Sequence, residues 1–237
     1  MILQTDNLHF DQALIPNDNL AHLTSKSPSL TDFLDFLKSP SPPPSSGIKD
    51  RQKCSESCYG PIHNMAHEFA CIVDDPGGTS LDKIMQLFDL AATHAAKYLA
   101  CPSCDAGCVR HINLGVLLQR QVNVLGNVAE NPAVHVGNDA TRVSFKLGEY
   151  RASKEDDIML KRMLLLRVIR GLSTSVLEFN SQARGYEERH LGGTLELGEA
   201  GKLNLKWLLD IAESLTRRLD CIKFILEKDD WALHLAK

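Results

Sequence analysis

The chain has 237 residues, of which 43% are hydrophobic, and a formal net charge of −4 at pH 7. This length allows one substantial hydrophobic core with residues left over for a tail or linker. A mildly acidic chain offers no basic face to a phosphate backbone. Seven cysteines without a secretory signal predict an intracellular protein with reduced thiols. Because no apolar run approaches the roughly 20 residues of a membrane span, we expect no membrane partner.

The first 60 residues have the composition of a disordered arm, in which serine, proline, asparagine and aspartate dominate. Within the arm, residues 31–37 alternate apolar side chains with aspartates. Such a segment is typical of regions that fold in a partner's groove, transcriptional activation segments included, and equally of a short helix docked on the protein's own core. The predicted partner-binding residues of this segment are Phe33, Leu34, Phe36 and Leu37.

Residues 61–237 are predicted to form one α-helical domain. Apolar residues recur at three- and four-residue spacing over residues 79–101, 108–125, 153–179 and 203–226. This spacing predicts about four main helices in an all-α helical bundle, the first two joined as a hairpin at Cys101-Pro102.

The third predicted helix has the clearest start signal, because Ser153 is followed three residues later by Asp156, as in a capping box. We predict it to be a central helix of the core, since its apolar positions cover a wide face. Residues 181–202 contain five glycines and are predicted to form a loop, and residues 143–147 a short extended stretch. The wide face consists of Ile158, Met159, Met163, Leu164, Leu166, Val168, Ile169, Leu172, Val176, Leu177 and Phe179.

The hairpin joint carries Cys101-Pro102-Ser103-Cys104, then Cys108 and His111. Three thiolates and an imidazole at close spacing form a tetrahedral zinc set, but these four ligands fall within eleven residues, whereas structural zinc sites draw ligand pairs from separated segments. The architectural interpretation is that small buried thiols fill a crowded hinge. We adopt it and predict no metal and no cofactor, with a helical zinc- or small-molecule-binding protein as the alternative.

Other candidate residues add little to these two interpretations. Cys54 and Cys58, with His63 and His67, form a second candidate metal set, and Cys71 and Cys221 are predicted to lie in the core. No glycine-rich phosphate loop, nucleophile elbow or HExxH-like spacing is present, and so we predict no catalytic residues and no enzyme.

Three sequence features occur together in this chain. A helix of the type Leu-x2-Ile-Met-x2-Phe precedes the Cys101-Pro102-x-Cys104 joint, Val143-x-Phe-x-Leu147-Gly148-Glu149-Tyr150 follows the hairpin, and Glu155-Asp156-Asp157 opens a leucine-rich helix. Over about residues 60–230 the chain resembles the C-terminal regulatory domain of fungal zinc-cluster transcription factors of the aflatoxin regulatory protein type. The resemblance implies a nuclear regulator of a secondary-metabolite gene cluster, of the mycotoxin or polyketide type.

Members of that family carry, upstream, a binuclear zinc cluster of six cysteines that reads DNA. Here only Cys54 and Cys58 precede the helical domain by any distance, and their spacing differs from that of the cluster. We therefore expect DNA to be contacted only indirectly, or through an N-terminal zinc cluster missing from this chain. The expected partners are other transcription proteins, and a homodimer is left open.

Overall fold

The computed structural model describes residues 58–101, 104, 108–136, 146–147, 150–228, 230–232 and 235. Residues 1–57 lie outside it, and with them the predicted arm and its partner-binding residues. The described residues belong to one compact unit of the chain, Arg51–Lys237. Its helices are α1 (Tyr59–Asp74), α2 (Leu81–Leu99), α3 (Cys108–Glu130), α4 (Pro132–His135), α5 (Lys154–Leu191) and α6 (Glu199–Glu227).

The all-α prediction is confirmed by these six helices. The described β structure is one antiparallel pair of two-residue strands, β1 (Lys146–Leu147) and β2 (Tyr150–Arg151). Strand β1 lies within the predicted extended stretch, and β2 follows it. Across the described ranges, no helix combines the length and the apolar character that a membrane crossing requires.

Helix α3 lies at the centre of the core. It packs against α1, α5 and α6, and its side chains are buried on most of its circumference, as expected for a helix enclosed by its neighbours. Helix α5, predicted to be a central core helix, packs against α2, α3 and α6, but its apolar face is wider than these helices cover. The buried side chains of α3 include Leu114, Leu117, Leu118, Val122, Val124, Leu125 and Val128.

Helix α5 therefore has one buried stripe and one exposed apolar stripe. The buried stripe, with Leu165, Ile169, Val176 and Phe179 at its centre, faces the bundle. Between 43% and 61% of the surface of four predicted core residues is exposed instead. These four are Met159, Met163, Leu164 and Leu177.

Several helix boundaries differ from the prediction. Helix α5 runs to Leu191 through the first half of the predicted loop, so that residues 192–198 alone connect it to α6. It ends where Gly193 adopts a positive φ of 71°, a conformation that favours glycine. Helix α3 continues through Gly126, and α1 was not predicted as a helix. A glycine weakens a helix but does not end it when the flanking turns are held by packing.

The predicted capping box of α5 is confirmed. The Ser153 hydroxyl oxygen accepts a hydrogen bond from the Asp156 backbone N–H at 3.1 Å, and the hydroxyl donates to the Asp156 carboxylate at 2.7 Å. Three acidic residues in the first turn add a favourable interaction with the positive end of the helix. Ser80 occupies the N-cap position of α2, but its side chain makes no capping hydrogen bond.

Candidate functional site

Three cysteine sulfurs meet where the hairpin joint approaches the start of α1. Cys58 immediately precedes α1, and Cys101 and Cys104 follow α2. Their Sγ atoms all lie within 4.8 Å of one another, with Cys104 buried and the other two half-buried. The Cys104 backbone N–H donates to the Cys101 carbonyl at 3.0 Å, which closes a tight turn between the two thiols. We call Cys58, Cys101 and Cys104 the thiol cluster.

The thiol cluster corrects the ligand set considered from the sequence. Cys101 and Cys104 do lie together, but their third neighbour is Cys58, which the sequence had grouped with Cys54, His63 and His67. On α1, His63 and His67 are both exposed. The side chain of Cys108 and all of Cys54 lie outside the described residues.

His111 takes part in a buried hydrogen-bond network instead. Its Nε2 lies 2.5 Å from the Gln182 side-chain oxygen and its Nδ1 lies 3.2 Å from the Tyr186 hydroxyl. The Gln182 amide in turn donates to the Leu99 carbonyl at 3.0 Å. Because the Gln182 oxygen can only accept, Nε2 carries the proton and Nδ1 accepts from the tyrosine. Both ring nitrogens are thus used to tie α5 to the end of α2 and the start of α3.

The two remaining cysteines predicted to be core residues are exposed. Cys71 lies on the outer face of α1, where its sulfur is 3.6 Å from His67 Nδ1, and Cys221 lies on the outer face of α6. The core prediction was wrong because cysteine is small and its position on a helix face, rather than its apolar character, decides its exposure.

A cleft of about 540 Å³ lies between α2 and α5. Its walls are mostly apolar and include Met85 and Phe88 from α2 and Leu164 and Val168 from α5. At its mouth the Arg167 guanidinium lies 3.8 Å from the Asp89 carboxylate, with both side chains about 70% exposed. An exposed pair of this kind contributes little stability and is readily displaced.

The cleft also contains an unused hydrogen-bond acceptor. Gln121 of α3 lines the cleft and is 2% exposed. Its side-chain oxygen has no hydrogen-bond partner among the residues that the structure describes. A buried acceptor of this kind favours a donor from outside the domain. No sequence pattern identified Gln121, because the residue lines a cleft only where α2 and α5 separate in the folded chain.

Comparison of the chain with family models, curated proteins and solved structures found no match. The resemblance to fungal regulators therefore rests on the sequence motifs alone.

His135 is a further buried polar residue, at the end of α4. Neither ring nitrogen has a hydrogen-bond partner within the described part of the chain. Burial lowers the pKa of His135 below the usual value for histidine, because the charged imidazolium loses its hydration there. His135 is thus neutral at pH 7 and contributes packing rather than charge.

Proposed function

We propose that the protein is a transcriptional regulator or co-regulator of a fungal secondary-metabolite gene cluster, acting in the nucleus through protein interactions. The sequence motifs at the hairpin joint and before α5 support a role in the regulation of transcription. The cleft between α2 and α5 supports the mode of action, and it is the observation on which the proposal depends. An open, mostly apolar cleft with a few polar groups is the shape that accepts an amphipathic helix.

The proposed occupant of the cleft is an amphipathic helix of another transcription protein, with acidic residues beside its apolar stripe. The exposed Arg167 guanidinium lies at the mouth of the cleft and would exchange its loose pair with Asp89 for such an acidic residue. Gln121 would accept a hydrogen bond from an inserted hydroxyl, amide or indole group. The exposed Met163, next to the cleft residue Leu164, extends the apolar surface, and methionine adapts well to a partner's shape.

The arm supplies a second interaction in this proposal. Phe33, Leu34, Phe36 and Leu37 would anchor residues 31–37 in a groove of a partner, with the interleaved aspartates keeping the segment in solution before binding. DNA is then reached through the partner or through an N-terminal zinc cluster missing from this chain.

Filling the cleft tests the proposal without disturbing the fold. Gly171 lines the cleft, and a Cβ added there would meet no atom within 4 Å. Gly171→Leu should therefore occupy the cleft and also stabilise α5 by roughly 0.5–1 kcal/mol through higher helix propensity. In a reporter assay with the full chain fused to a heterologous DNA-binding domain, we expect activation to fall by about tenfold or more, as for loss of a central interface contact.

Gly185→Leu is the matched control, because Gly185 lies in the same helix, has equally open surroundings and does not line the cleft. It should leave activation unchanged while raising thermal stability by a similar amount. Equal activation by the two variants would rule out the cleft as the binding surface. If the wild-type chain is a dimer in solution and Gly171→Leu makes it a monomer, a second copy is the occupant and the proposed partner is wrong.

Removing the arm's aromatic anchors is a separate test in the same assay. The double variant Phe33→Ala and Phe36→Ala should reduce activation by about tenfold, because two buried aromatic anchors carry much of the energy of such a contact. Replacing Asn17 and Asn19 by Ala changes the same arm without touching the segment and should have no effect. Unchanged activation by the phenylalanine variant would exclude the arm from the mechanism.

A further inference from the structure

We propose that Cys58, Cys101 and Cys104 bind a zinc ion that joins the start of α1 to the hairpin joint. The inference does not depend on the proposed function, since it rests on the positions of three sulfur atoms alone. It also differs from the set considered from the sequence, because His111 is engaged elsewhere and Cys58 takes its place.

The spacing of the sulfurs suits zinc. Tetrahedral zinc with Zn–S bonds of about 2.3 Å holds its sulfur ligands about 3.8 Å apart. The three Sγ atoms lie within 4.8 Å of one another, so that closing by about 1 Å completes the geometry. Cys58 and Cys101 are half-buried and lie outside α1 and α2, where side-chain rotation is less restricted than within a helix.

The turn between Cys101 and Cys104 is the second element of the site. The hydrogen bond from the Cys104 N–H to the Cys101 carbonyl holds two thiols on one tight turn, and the third thiol comes from a segment 43 positions earlier in the sequence. Structural zinc sites typically combine a Cys-x2-Cys turn with ligands from a separate segment in this way. The ligands of this site therefore come from two separated segments of the chain, unlike the set considered from the sequence.

The chemistry of the ligands selects the metal. Thiolates are soft ligands that favour zinc over calcium and magnesium, which require oxygen ligands. On binding, each of the three thiols releases its proton to solvent and forms a Zn–S bond, without any change of oxidation state. Three thiolates leave one coordination position for a water molecule or a fourth side chain.

The site would stabilise the packing of α1. Helix α1 contacts α3, and the Arg120 guanidinium of α3 donates to the Ala66 carbonyl at 2.6 Å. A zinc ion at Cys58 would fix the N-terminal end of α1 to the hairpin joint, about two helical turns before Ala66. Because the unfolded chain has no preformed site, binding energy adds to the stability of the folded state.

The test uses the full chain, purified without chelators and analysed for metal by mass spectrometry. We expect one zinc ion per chain, and three or four sulfur neighbours by X-ray absorption. Cys58→Ser, Cys101→Ser and Cys104→Ser should each weaken zinc binding by about 100-fold or more, since loss of even an outer-shell partner costs roughly 10–100-fold. Cobalt substitution should give an intense thiolate-to-metal absorption band in the wild type that is lost in the variants.

Matched controls separate ligand loss from misfolding. Cys71→Ser and Cys221→Ser remove exposed thiols and should retain full zinc content. His111→Gln should also retain it. Cys104 is buried, so the half-buried Cys58 provides the variant least affected by packing, and its helix content is checked by circular dichroism.

Three results would overturn the inference. One is a chain that binds no zinc after refolding with one equivalent of the metal. Another is zinc binding that survives simultaneous replacement of all three cysteines. The third is a disulfide between any two of them in protein purified under reducing conditions, seen as a mass lower by two hydrogens, which would make the cluster a redox pair.

Discussion

Replacing His111 with alanine is expected to lower the free energy of unfolding by about 2–5 kcal/mol. The imidazole is 1% exposed and uses both ring nitrogens, one toward the Gln182 side-chain oxygen and one toward the Tyr186 hydroxyl. Alanine removes both hydrogen bonds at once and leaves a cavity that no neighbouring side chain fills. The loss is measured by urea unfolding of the wild-type and variant chains.

His111→Gln should lose less than His111→Ala, since its amide can still donate to the Gln182 oxygen. His67→Ala provides the surface control: that imidazole is exposed on α1, and its removal should change the free energy of unfolding by less than about 0.5 kcal/mol. If His111→Ala were no more destabilising than His67→Ala, the network would not hold the hairpin joint to α5.

Local signals in the sequence were sufficient for the fold class. The spacing of apolar residues reflects which side of each helix is buried, and the Ser153 capping hydrogen bonds form within three residues of one another. Both signals are read within one or two helical turns. The four main helices and the start of α5 could therefore be predicted without knowledge of how the helices pack.

Packing decided the features that the sequence did not reveal. Whether Leu164 and Leu177 are buried depends on how many helices pack against α5, and they are exposed because α2, α3 and α6 leave one side of it uncovered. The chain continues as a helix through Gly185 because the next turn is anchored by Tyr186, which is buried beside His111. The number of glycines in residues 181–202 does not reveal that Tyr186 is buried.

The candidate sites are contacts between residues distant in the sequence. Cys58 joins Cys101 across 43 positions, and His111 meets Gln182 across 71. Sequence spacing correctly placed Cys101 beside Cys104, because a four-residue turn is local. It assigned His111 to the same set because the residue is near in sequence, whereas the helix directs its ring toward α5.

Gly115→Ala is the other substitution with a large expected effect, a loss of about 1–3 kcal/mol in the free energy of unfolding. A Cβ at this position of α3 would lie 2.9 Å and 3.0 Å from two ring carbons of Trp207 and 3.1 Å from one of Phe179. Phe179 is fully buried, so that moving its ring would displace other core side chains. The clash should outweigh the roughly 1 kcal/mol that alanine contributes to a helix through its higher propensity.

Gly126→Ala in the same helix provides a control of opposite sign. There a Cβ would make ordinary contacts, 3.7 Å from Ile222 and 3.8 Å from Arg218, so that the gain in helix propensity remains. Thermal unfolding should show Gly126→Ala as more stable than the wild type and Gly115→Ala as less stable. If both alanine variants were more stable than the wild type, Trp207 of α6 would not pack against Gly115 as closely as it does in the structure. The placement of α3 against α6 would then be wrong.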